Sequence, residues 1–197
     1  MAADAIMGRA AGQPAWRSGQ VRGKFGSMLI AFGGLPATGK TTLARAVAAE
    51  RSAAYLRVDV IEQALRESGT LANEVGRAGY AVGYAVAESN LRLGVTVVAD
   101  SVNPLPVTRA AWRAVARRAG VPCLEVEVVC TDPAEHRRRA ETRAADIPGL
   151  AGPSWAEITR RDYAAWESPR LVLDTARLGV PAALDALRTA MANLAGA

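Results

Sequence analysis

The chain has 197 residues, half of them hydrophobic, with a formal net charge of +5 and two cysteines. That length buries a sufficient core in one domain without disulfide or metal staples. Charged residues, Gly or Pro break every apolar stretch, so none reaches the roughly 18 to 20 residues that cross a bilayer. Net basic charge suits a polyanionic partner and a nucleotide-phosphate site equally well. Residue type says more: of 24 basic residues only Lys24 and Lys40 are lysines.

Residues 1–26 carry Arg9, Arg17, Arg22 and Lys24 against the single acid Asp4, with Gly, Pro and Gln interspersed and no continuous apolar run. They are read as a disordered leader, with a cleaved transit peptide as the weaker alternative, and a cytoplasmic location is expected. From Met28 onward, short apolar runs at 28–32, 54–58, 95–99, 124–129 and 171–173 predict five buried strands. The intervening segments read as helices with legible ends. Gly94 closes one, Thr131-Asp132-Pro133 opens another with a cap followed by Pro, and Ser154-Trp155-Ala156-Glu157 is a capping box. Right-handed crossovers then give one α/β domain over 27–197 with a mainly parallel sheet, whose ligands bind beyond the carboxyl ends of the strands. Cys123 and Cys130 flank the fourth run without companion ligands and read as small core residues. His136, the only histidine, stands among Glu135, Arg137 and Arg138 and reads as a solvated helix residue.

Directly after the first strand comes Gly34-Leu35-Pro36-Ala37-Thr38-Gly39-Lys40-Thr41, followed by a helical segment over 42–51. This is the phosphate-loop pattern G-x-x-x-x-G-K-[ST] in its required strand–loop–helix context. Glycines let successive backbone N–H groups turn inward on phosphates, and the helix that follows adds its unpaired N–H groups and about half a positive charge. Lys40 supplies a point charge at the β and γ phosphates, the Thr41 hydroxyl is placed for Mg²⁺, and Thr42 is within reach of the α-phosphate. The residue frequencies of the chain give roughly 0.002 chance matches to this pattern, so ATP binding is the expected property.

Two aspartates close apolar runs at the same rim of the sheet. Asp100, after Val95-Thr96-Val97-Val98-Ala99, fits an acid that holds Mg²⁺ through its water shell, the alternative being a strand-end turn. Asp59, after Tyr55-Leu56-Arg57-Val58, is the better candidate for a carboxylate that orients an acceptor hydroxyl and takes its proton. Asp59-Val60-Ile61-Glu62 also reads as a capping box for a helix running to about Glu67.

These residues resemble a family of small P-loop kinases, an AAA-type ATP-binding group that includes zeta toxins, chloramphenicol phosphotransferase, gluconokinase and polynucleotide kinase domains. The resemblance covers residues 28–175. It implies a three-layer P-loop NTPase fold, ATP and Mg²⁺ as cofactors, Asp59 as catalytic base, and a small helical lid over about 137–156. In that lid Arg139 and Arg143 match a pair of arginines that contact phosphates. Four residues apart on one helix face, the two guanidinium groups would converge, the alternative being a solvated basic face paired with Glu135 and Glu141. The turn-rich stretch 144–153 would hinge over the nucleotide. Its Asp146-Ile147-Pro148-Gly149 also fits a GTPase pattern, but it follows the wrong strand and no [NT]KxD motif accompanies it.

The implied reaction moves the γ-phosphate of ATP to a hydroxyl of a small molecule. The alternatives are an ATP-binding regulatory protein that transfers nothing, and a polynucleotide or nucleotide kinase. The acceptor pocket is expected among Glu62, Arg66, Asn73, Glu74, Tyr80, Tyr84, Asn103 and Arg109. No basic stripe interleaved with aromatics favours nucleic acid.

Overall fold

The structure, a computed structural model, describes residues 26–69 and 75–196. Strands β1 (Leu29–Gly33), β2 (Ala54–Arg57), β3 (Val97–Asp100), β4 (Cys123–Val129) and β5 (Leu171–Asp174) form one sheet in the order β2-β3-β1-β4-β5. Every pairing is parallel. Successive strand side chains face opposite ways, and the two faces of the sheet carry separate cores. Ile30, Phe32, Val98, Val126 and Val128 meet Leu43 and Val47 of α1 (Lys40–Arg51) and Leu187 and Met191 of α7 (Val180–Ala195). On the other face Leu29, Ala31, Val97 and Ala99 meet Ala87 and Leu91 of α3 (Ala78–Arg92) and Trp112 and Val115 of α4 (Pro106–Ala119). Helices on both faces of a five-stranded parallel sheet make the three-layer fold expected from the sequence.

Strand ends shift by one or two residues from their predicted positions, and one shift matters. Val58 was expected to end β2, but it begins α2 (Val58–Glu67), with its side chain buried among the α3 and α4 core residues. Asp59 therefore lies inside the first helical turn. Arg57 is the N-cap residue and no side chain caps the helix, so the capping box expected at Asp59 is absent. Two glycines bring α3 against α2: a Cβ on Gly79 would lie 2.3 Å from Glu62 Cγ, and one on Gly83 would touch Ile61 and Val58.

The caps expected further along are present. Asp132 accepts from the backbone N–H groups of Ala134 and Glu135 at the start of α5 (Pro133–Thr142), and Ser154 and Glu157 form a capping box on α6 (Trp155–Arg160). The segment 161–170, which has no regular structure, is pinned by Arg109. That buried guanidinium donates to the carbonyls of Asn103, Pro104, Ala164 and Ala165 and stacks over the Trp166 ring at 4.3 Å. Trp166 in turn covers the end of β1, where a Cβ on Gly33 would meet its ring at 2.5 Å.

Candidate active site

The register places Arg57, Asp100 and Phe32 in one row across β2, β3 and β1, at the carboxyl rim of the sheet. The phosphate loop leaves β1 immediately beyond that row. Its turn depends on backbone that only small residues adopt: Gly34 has φ 143° and its Cβ position lies 2.2 Å from the Val128 carbonyl, while Gly39 has φ 92° and opens α1. Ala37 is also left-handed, at φ 65°. Inside the loop the Thr38 hydroxyl donates to the Leu35 carbonyl at 2.9 Å.

Three contacts hold the loop from outside. Gly34 N–H donates to the Val102 carbonyl at 3.0 Å. The Thr175 hydroxyl, just after β5, donates to the Thr38 carbonyl at 2.7 Å and accepts from Arg139 Nη1 at 2.8 Å. His136 Nε2 donates to the Pro36 carbonyl at 2.8 Å, with the ring edge-on to Trp155. His136 is therefore buried, not solvated as its charged neighbours suggested. It is the one buried residue of α5 and faces the phosphate loop.

Lys40 and Asp100 are both buried, with Lys40 Nζ 3.9 Å from Asp100 Oδ1. The Tyr55 hydroxyl donates to Asp100 Oδ2 at 2.7 Å, and burial together with the Asp100 charge pushes the phenol pKa far up, so Tyr55 stays a donor. Asp100 Oδ1 makes no hydrogen bond although Asp100 is 1% exposed. An orphaned carboxylate oxygen beside the phosphate loop fits a hydrated divalent cation. Thr41, at the first turn of α1, stands at the same end. No group of three or more His, Cys, Asp or Glu suited to a metal occurs among the described residues, so such a cation would take its other ligands from phosphate and water.

A cavity of about 550 Å³ opens beside this pair, with Lys40, Arg57, Asp59, Glu62, Arg143 and Asp146 in its wall. Asp59 Oδ2 lies 3.4 Å from Arg57 Nε, and burial followed by the Asp59 charge raises the Glu62 pKa. Arg139 and Arg143 do not converge as expected. The helix ends at Thr142 with Arg143 as its C-cap, and the two side chains take different partners. Arg139 binds Glu135 and Thr175 beside the phosphate loop, whereas Arg143 donates to Asp146 at 2.9 Å in the cavity wall. The solvated pairs foreseen as the alternative exist as well, between Arg137 and Glu141 and between Arg138 and Glu135.

The expected acceptor residues divide in the same way. Glu62 and Arg66 line the cavity. The Tyr80 hydroxyl accepts from Asn103 N–H, Tyr84 packs edge-on to Trp112, Asn103 donates to the Phe32 carbonyl, and Arg109 pins the 161–170 segment. Those four are structural. Asn73 and Glu74 lie outside the described residues. The cation missed by sequence reading is Arg57, 3% exposed, which sits among Asp59, Asp100 and Asp146.

A family model described as an AAA domain matches residues 29–151. No curated protein matches the sequence. Solved structures of similar fold include a kinase candidate from Chloroflexus aurantiacus J-10-fl, at 20% identity over 87% of this chain and 100% of that chain, with a TM-score of 0.68. The Mycobacterium tuberculosis APS kinase CysC in complex with AMPPNP and APS follows at 23% identity, 83% and 98% coverage and a TM-score of 0.59. A gluconokinase from Sinorhizobium meliloti 1021 stands at 17% identity, 87% and 94% coverage and a TM-score of 0.59. At such identities the likeness is one of fold, and with the phosphate loop and the matched family model, the chain belongs to the AAA-domain family of P-loop kinase-like proteins.

Proposed function

We propose that the protein is an ATP-dependent phosphotransferase that moves the γ-phosphate to a hydroxyl of a small molecule. The observation that carries this reading is a carboxylate besides Asp100, that of Asp59, in the wall of the cavity that also holds Lys40 of the phosphate loop. Binding ATP alone requires no carboxylate there. The N–H groups of 34–41 and the start of α1 cradle the phosphates, and Lys40 leaves Asp100 to neutralise β and γ oxygens. Thr41 and Asp100 would hold Mg²⁺, which when bound offsets charge on the phosphate oxygens. Asp59 orients the acceptor hydroxyl and receives its proton as the oxygen attacks phosphorus. Arg143, in the cavity wall beside Asp146, is assigned to the acceptor side. Arg139, tied to Thr175, is assigned to the nucleotide side. The test is to screen hydroxyl compounds for ADP release from the Mg²⁺-supplied protein. The reading predicts an acceptor-dependent rate that Asp59→Asn abolishes, and ADP release indifferent to every acceptor and to Asp59 would refute it.

A further inference from the structure

Asp146 accepts hydrogen bonds from three guanidinium groups at once. Its Oδ2 takes Arg57 Nη1 at 2.6 Å and Arg45 Nη2 at 3.1 Å, and its Oδ1 takes Arg57 Nη2 at 3.2 Å and Arg143 Nη2 at 2.9 Å. The paired bonds from Arg57 are the fork by which a guanidinium grips a planar carboxylate or two oxygens of a phosphate. A cation as buried as Arg57 must have such a partner. Asp59 and Asp100 stand 3.4 and 3.9 Å from its Nε, which makes no hydrogen bond. The partner that does grip it comes from an exposed, turn-rich connection between α5 and α6, in which Ile147 is the one buried residue from 143 to 152. A packed cation thus relies on a carboxylate that its own element does not hold in place.

We infer that Asp146 occupies the seat of an oxyanion carried by the acceptor, so that the substrate is a hydroxyl compound bearing a carboxylate, phosphate or sulfate group. This rests on the phosphotransferase reading and narrows it. The substrate anion takes the Arg57 fork and Arg143, Asp146 withdraws with its connection, and the acceptor hydroxyl is left beside Asp59, the immediate neighbour of Arg57. Charge agrees. With Asp146 withdrawn and Lys40 committed to the nucleotide, the cavity wall carries four basic side chains against three acidic ones, an excess that an anionic acceptor offsets and a neutral one does not.

The experiment titrates wild-type protein and Asp146→Asn with sulfate, inorganic phosphate and acetate by calorimetry, in the presence of a non-hydrolysable ATP analogue and Mg²⁺ to fill the phosphate loop. Asparagine keeps the shape and removes the competing charge. If Asp146 fills the seat nine-tenths of the time, its removal tightens anion binding about tenfold, and Asp146→Asn/Arg143→Gln should lose most of that gain. The anion that gains most names the class of the acceptor group. Unchanged or weaker binding of all three anions to Asp146→Asn overturns the inference and makes Asp146 a closure latch. Failure of the phosphotransferase reading appears elsewhere, as a protein that does not take up the ATP analogue or that no hydroxyl compound stimulates. The anion comparison survives that failure because both variants share one phosphate loop.

Discussion

Substituting Asp59 by Asn separates chemistry from structure because its structural role is small and visible. The side chain is 31% exposed, caps nothing, and has one ion-pair partner, Arg57, at 3.4 Å. Losing a partly exposed ion pair costs about 1 kcal/mol at most, and losing a negative charge in the first turn of α2 costs about 0.3 to 1 kcal/mol. The total stays near 2 kcal/mol or below, and a chain of this size shifts about 2 to 4 °C in melting temperature per kcal/mol. Removal of a general base lowers the rate by about 10² to 10⁴, which at about 1.4 kcal/mol per decade is roughly 3 to 5 kcal/mol of barrier. The expected variant therefore melts within about 8 °C of wild type, binds ATP with Mg²⁺ unchanged, and transfers phosphate at least a hundredfold more slowly. Melting, nucleotide titration and acceptor turnover on one preparation decide it. Turnover within threefold of wild type would remove Asp59 from the chemistry.

Lys40→Ala should weaken ATP binding by about 10- to 100-fold, the value of a charge-assisted hydrogen bond of 1.5 to 3 kcal/mol, and an unchanged nucleotide titration of folded protein would refute the phosphate-loop assignment. His136→Ala leaves the Pro36 carbonyl without its donor and should lower stability by about 1 to 3 kcal/mol, read by denaturant melting, while turnover at saturating ATP stays close to wild type. Arg139→Ala breaks the link from α5 through Thr175 to the phosphate loop and should raise the apparent ATP affinity constant Kd more than it lowers turnover, as kinetics at varied ATP will tell. The Arg57 hydrogen bond holds the Asp146 carboxyl well below its ordinary 3.8. A depressed carboxyl contributes its full stability above the unfolded pKa and loses it as pH falls, so the melting difference between wild type and Asp146→Asn should be flat from about pH 8 to pH 5 and shrink only below about pH 4.

What was legible in the sequence was what is local. The phosphate loop is one contiguous string whose chemistry dictates its residues, and the five apolar runs needed only a period and a length. Asp100 was legible because a strand points its last residue at the rim of the sheet, whereas Asp59 lies two residues beyond its strand, in the first turn of a helix. His136 was not legible, because the inward face of α5 is that single residue, and one buried position in a charged helix produces no periodicity. The separate roles of Arg139 and Arg143 were not legible because they are set by partners far apart in the chain or beyond the helix, Thr175 for one and Asp146 for the other. Arg57 was invisible for a different reason. A buried cation in an apolar run has meaning only through its partners, and the one that hydrogen-bonds it, Asp146, is 89 residues away in the chain.

The placement of these groups in the sheet divides the cavity into two halves of different character. Asp100 ends β3, which is paired on both sides by β2 and β1, and the phosphate loop leaves β1, which is paired on both sides by β3 and β4. Their carboxyl ends are fixed by ladders and by cores on both faces, as a preorganised phosphate site requires. Arg57 and Asp59 leave β2, the edge strand, and what closes over them is α2 and the connection around Gly149, whose Cβ position lies 2.8 Å from Gln63 Nε2. Loops and edge elements tolerate sequence change that a central strand does not. On the proposed function, the half assigned to the acceptor is thus built on the part of the fold that can change without disturbing the phosphate loop, and a buried arginine set there, gripped by a carboxylate from a loop, suits recognition of a particular acceptor.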